Sequence, residues 1–130
     1  MHYHRPGRQS DSKMDAKPRD LEERATQFAE KTRHFVRQLP RTIGNFEDAK
    51  QLIRASGSVP ANCIEANEAL GAKDRIMKFR ISRKEAKECQ RWLRLLNTGD
   101  NAVLDIEKTH LRQEAHELKL IFNAIIRKLE

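Results

Sequence analysis

An all-α fold, an antiparallel up-down-up-down four-helix bundle, is what this sequence predicts, on three observations. Four segments carry apolar residues at three- and four-residue steps, the period of a helix with one buried stripe. Only four prolines and five glycines occur in 130 residues, and 35% of the chain is charged, so good helix formers abound and β-branched runs are scarce. The connections are short, and four amphipathic helices on short loops bury their stripes most simply against one another. A chain of this length makes one domain, large enough to fold without a disulfide or metal.

Residues 1–18 are polar, contain two prolines and show no periodicity, which predicts a disordered tail ahead of a bundle domain over residues 19–130. His2 and His4 make no metal site without further ligands, and Met14 offers an alternative start. Asp20 is the expected N-cap of the first helix, with Leu21, Ala25, Phe28, Thr32, Phe35 and Leu39 inward until Pro40. The second helix is expected from Thr42 to about Ala69, burying Phe46, Ala49, Leu52, Ile53, Ser56, Val59, Cys63 and Leu70. Gly57 and Pro60 predict a kink or break near residues 56–60, because proline removes a backbone donor. Asp74 is the expected cap of the third helix, which turns Ile76, Phe79, Ala86, Cys89, Trp92, Leu93 and Leu96 inward. After a turn at residues 97–101, Leu111, Ala115, Leu118, Phe122, Ile125 and Leu129 form the seam of the fourth.

The formal charge of +7 suits an anionic partner, and its location matters more than its size. Residues 73–96 hold nine basic side chains against three acidic, whereas the first, second and fourth helices come out near neutrality. At about 100° per residue, Lys73, Arg80, Lys87 and Arg94 recur every seventh position with Lys84 and Arg91 beside them. Such a stripe is a ridge that can neutralise the phosphates of RNA or DNA, releasing counterions, or else a solvated face with pairs such as Lys84 to Glu88. Aromatic residues do not interleave with it, which gives stacking on unpaired bases no support.

Met77, Ile81, Trp92 and Leu95 widen the apolar side of the third helix beyond what one bundle interior needs, and predict an interface with further copies of the chain. Asn67 and Glu85 fall on apolar faces and require partners such as Arg54, Asn62 or Arg83, forming a polar cluster that fixes register. No catalytic site, cofactor or metal is expected. Glu107 and His110 have the spacing of one half of a di-iron carboxylate site, but Glu30 and His34 are four apart, so no second copy exists. No nucleophile elbow, phosphate-cradling glycine loop or Cys/His pair occurs. Cys63 and Cys89 read as buried, reduced thiols of a cytoplasmic protein, and no apolar run reaches the ~20 residues that span a membrane.

The stretch from Gln51 to Leu96 resembles the four-helix-bundle family typified by proteins encoded in intervening sequences of 23S ribosomal RNA genes, more weakly from about Asp20 to Leu129. Its most specific parts are Ser56-Gly57-Ser58-Val59-Pro60-Ala61-Asn62 followed by Glu65, and Lys84-Glu85-Ala86 preceding Trp92-Leu93. The resemblance implies a left-handed antiparallel bundle assembled as a ring, typically a homopentamer, without known catalytic activity. It extends more distantly to a retroelement accessory variability protein, a basic pentameric bundle that binds nucleic acid together with a reverse transcriptase. The function these readings support is a homo-oligomer that contacts nucleic-acid backbone; the competing reading is a structural or protein-interaction module that binds none.

Overall fold

A computed structural model describes residues 18–130 as four α-helices, with no strand among them. They are α1 (Pro18–Arg37), α2 (Ile43–Glu68), α3 (Ala72–Leu95) and α4 (Ala102–Leu129). The expected tail lies, but for Pro18, outside the described residues. Helix α1 starts ahead of Asp20, the expected cap, because proline fits a first helical position, where its missing N–H would have had no intrahelical partner. Asp20 instead sits in the first turn, where a carboxylate favours the positive end of the helix dipole. Asp74 likewise lies within the first turn of α3, whose N-cap is Gly71.

Contacts between neighbours run in opposite chain order. Along α2 and α3, Arg54 meets Glu85, the Val59 carbonyl accepts from Ser82, and Glu65 meets Lys78. Between α1 and α2, Asn67 donates to Glu22 and Arg33 to Ser56. Between α3 and α4, Arg83 donates to Asn123 and Lys108 to the Arg94 carbonyl. Helix α4 closes back on α1 through Arg24, which bonds Glu114 at 2.6 and 2.8 Å and Glu117 at 2.8 Å. The core between them holds Phe28, Phe35, Leu52, Val59, Leu93, Leu118 and Phe122, all essentially without solvent contact. Phe79 and Phe122 cross the α3–α4 seam with ring centroids 6.1 Å apart.

Helix α2 is continuous through Pro60, with no break at residues 56–60. Side chains from both neighbours attach to its carbonyls in the two turns ahead of the proline. Arg33 of α1 donates to the Ile53 carbonyl, to Ser56 Oγ and to its own Ala29 carbonyl. Ser82 of α3 donates to the Val59 carbonyl at 2.9 Å. Gly57 leaves room for this arrangement, because a Cβ there would lie 3.1 Å from Arg33 Nη2.

Two residues expected inside α2 are outside. Phe46 is 65% exposed, and Leu70, beyond the helix end at Glu68, is fully exposed. Asn45, Leu52, Val59 and Ala66 are all buried at seven-residue steps, so Asn45 holds the inward position and Phe46 is turned away. In α4 the seam steps four residues from Phe122 to the buried Ile126, leaving Ile125 and Leu129 half-buried, because a straight helix drifts from a strict 3.5-residue repeat.

Asn45 ties the two loops at this end of the bundle. Its Nδ2 donates to the Pro40 carbonyl at 2.9 Å and the Asn97 carbonyl at 2.8 Å, and its Oδ1 accepts from the Asn97 N–H at 2.8 Å. The following turn places Gly99 at φ 68° and Asp100 at φ 61°, and Asn101 then caps α4 by accepting from the Val103 and Leu104 N–H groups.

Candidate nucleic-acid interface

The basic stripe lies on the outer face of α3. Lys73, Arg80, Lys84, Lys87, Arg91 and Arg94 are all exposed. Arg80 bonds Glu130 at 2.8 Å. Among the described residues, the side chains of Lys73, Lys84, Lys87, Arg91 and Arg94 form no ion pair or hydrogen bond, and the pair from Lys84 to Glu88 does not form. Five cations thus face solvent without a counter-charge among the described residues.

The middle of the stripe, Arg80, Lys84 and Lys87, forms one wall of an open groove of about 530 Å³ between α3 and α4, lined also by Arg83, Lys119, Leu120 and Asn123. Among the described residues, no carboxylate lines it. Arg83 holds the two walls together by donating to Asn123 Oδ1 at 2.9 Å. At 100° per residue, Lys108, Arg112, Lys119 and Asn123 share one flank of α4. Lys108 turns its charge to the end of α3, donating to the Arg94 and Leu96 carbonyls; burial, then the nearby Arg112, lowers its pKa. Lys119 and Asn123 were not among the residues singled out from sequence, and Arg83 was expected as a partner for Asn67 or Glu85 but bonds Asn123 instead. The only sequence signal for the α4 wall is the Arg112 to Lys119 seven-residue step, and it acquires meaning once α4 is known to lie beside α3.

The structure separates the residues expected at an oligomer interface. Met77 and Leu95 project from α3, 51% and 54% exposed. Ile81 is half-buried, and Trp92 packs partly buried against the core with its indole N–H shielded and without an acceptor among the described residues. Separate exposed apolar residues occur at the start of α2, where Ile43 and Phe46 border an open cleft of about 580 Å³ with Val36, Leu39 and Pro40.

The expected polar cluster divides into three. Glu85, only 5% exposed, takes two hydrogen bonds from Arg54 at 3.3 Å. Asn67 reaches Glu22 of α1 at 2.7 Å, and Asn62 turns back on its own helix, donating to the Ser58 carbonyl and hydroxyl. On α2, Arg54 faces α3, Asn67 faces α1 and Asn62 bonds its own helix, so the four do not come together.

Glu30, His34, Glu107 and His110 line one open cleft between α1 and α4, with Glu107 accepting from Gln38. Among the described residues, no group of three or more His, Cys, Asp or Glu side chains is placed to hold a metal ion. Both cysteines are buried free thiols: burial, then Glu22, pushes the Cys63 pKa to about 12, and burial, then Glu85, pushes that of Cys89 to about 12. Among the described residues, no helix is long and apolar enough to cross a membrane.

The family model of the 23S rRNA-intervening sequence protein matches residues 19–124, nearly the whole bundle. The chain belongs to that family. Among solved structures it is similar to a protein of unknown function from the S23 ribosomal protein family of Bacteroides thetaiotaomicron VPI-5482. That protein is 26% identical, with a TM-score of 0.74 over 86% of this chain and 99% of the other. A comparison with curated proteins finds no match. Within this 23S rRNA-intervening sequence family protein, the segment Ser56 to Glu65 is the part of α2 that carries Pro60 and offers Ser56 to Arg33 and the Val59 carbonyl to Ser82, and Glu85 is the buried carboxylate held by Arg54.

Proposed function

We propose that this 23S rRNA-intervening sequence family protein is a non-catalytic, antiparallel, left-handed bundle that assembles into a homo-oligomeric ring and holds the phosphate backbone of RNA or DNA. The observation that carries the binding reading is the α3–α4 groove. Cations line both of its walls, no carboxylate does, and five cations of the α3 stripe have no counter-charge among the described residues. A surface with that charge gains most by exchanging condensed counterions of a polyanion for its own lysines and arginines. Long flexible cations, with no aromatic side chain beside them, engage phosphates and leave base sequence unread.

Salt-dependent binding tests this. Affinity for structured RNA or duplex DNA falls as salt rises, and Lys87→Glu with Arg91→Glu abolishes it while the bundle stays folded. Undetectable binding at low salt, or binding unchanged by the two reversals, sinks the proposal. The exposed Met77 and Leu95 favour self-association as the second part of the reading. Light scattering after size exclusion then gives a multiple of 15.2 kDa, reduced by Leu95→Glu; a monomer at micromolar concentration removes the assembly.

A further inference from the structure

We propose that the α3–α4 groove seats the backbone ridge of a double helix rather than a single strand, an inference that rests on the nucleic-acid reading above. Three features favour a rigid, paired ligand. The α3 row, from Lys73 to Arg94, extends about 31 Å at 1.5 Å rise per residue, close to the ~34 Å repeat of one duplex turn, with Arg80, Lys84 and Lys87 lining the groove and the others continuing the row beyond it. Its cations come at seven-residue steps, a fixed ruler of about 10 Å that a preformed backbone meets without ordering itself first. A single strand loses conformational freedom to lie along the same line.

The second feature is the other wall. Neighbouring helices lie roughly 8–10 Å apart, so Lys119 on α4 sets a cation across the groove from the first row, and Arg112, one seven-residue step back, continues the same flank of α4 beyond the groove. A concave trough with charge on both flanks receives a convex ridge of phosphates and neutralises it from two sides. The third is chemical. Proteins that hold single strands add aromatic platforms on which bases stack, worth about 1–3 kcal/mol per base. Among the described residues, no aromatic side chain lines this groove. Unpaired bases therefore find nothing here to replace the stacking they have lost, whereas a double helix keeps its bases stacked inside and presents only backbone.

The test is fluorescence anisotropy on the full chain with four probes of one unstructured sequence: duplex RNA, duplex DNA and the corresponding single strands, each titrated at several salt concentrations. Either duplex binds at least about tenfold tighter than its own strands, and the better duplex identifies the form. Lys119→Glu on the α4 wall weakens duplex binding and lowers the log–log salt slope by about 1 or more, while Lys31→Glu, an equal charge change on the α1 side, does neither. Single strands binding as tightly as duplexes, or Lys119→Glu behaving as Lys31→Glu, overturns the duplex assignment and leaves backbone binding in place. Absence of binding to all four probes removes the underlying reading as well.

Discussion

Replacing Asn45 tests whether the paired loops at one end of the bundle depend on a single amide. The side chain is 5% exposed and makes three hydrogen bonds of 2.8–2.9 Å, two donated by Nδ2 and one accepted by Oδ1. At about 1 kcal/mol net for each, Asn45→Ala costs about 3 kcal/mol, reduced toward 2 where water reaches the exposed Asn97. A domain of this size has roughly 5–15 kcal/mol in total, so the loss lowers the midpoint of thermal unfolding by about 10 °C. Asn45→Asp separates hydrogen bonding from shape. It preserves the acceptor for the Asn97 N–H but sets a carboxylate oxygen against two carbonyls, so it is worse than alanine at neutral pH. Protonation restores one donor, and the folded state raises that carboxyl's pKa. The sign follows: the stability tied to its proton is fully present below the unfolded value of about 3.9 and is lost as pH rises through the folded value. Urea unfolding followed by far-UV circular dichroism, at one fixed protein concentration, measures all three proteins. If both variants stay within about 0.5 kcal/mol of the parent, the amide bridge does not hold the loops and the reasoning fails.

Gly57→Ala gains helix propensity of up to about 1 kcal/mol, yet it crowds Arg33, whose guanidinium is held by three acceptors. Stability therefore falls in the parent and rises when the same change is made in an Arg33→Ala background, a sign reversal that a double-mutant cycle reads directly. Gly99→Ala combines a positive φ of 68° with a Cβ 2.8 Å from the Pro40 ring, and is expected to cost about 2 kcal/mol in the same urea assay. Cys63 and Cys89 stay unreactive toward a thiol-disulfide reagent at pH 8 until urea unfolds the chain. Because their folded pKa values of about 12 exceed the 9.0 of a free thiol, both stabilise the fold fully below pH 9, and that contribution is lost as pH rises toward 12. Rapid labelling of the native protein contradicts their burial.

Pro60 shows where local rules stop. A proline and a glycine within five residues argue for interrupted helix, yet the backbone there runs on as helix, packed between α1 and α3, with Arg33 and Ser82, distant in sequence, binding carbonyls ahead of the proline. Glu85 shows the reverse. Its place in an apolar arc predicts a polar partner, and Arg54, itself exposed, supplies it. The α3 stripe was readable in full, since one helix fixes the relative directions of its own side chains. Its opposite wall was not, since Lys119 joins it only through the placement of α4.

Periodicity and composition by themselves determined four helices, the buried faces of α1 and α3, and the concentration of charge on one helix, because each is a property of a single element with a 3.6-residue turn. Tertiary structure decided what lies across each seam: Asn45 rather than Phe46 inside, Asn67 toward α1 but Glu85 toward α2, and a groove with cations on both walls. The physical reason is that helix phase orders side chains around one axis, whereas partners, burial at helix ends and grooves depend on the distance and rotation between axes, which packing alone sets.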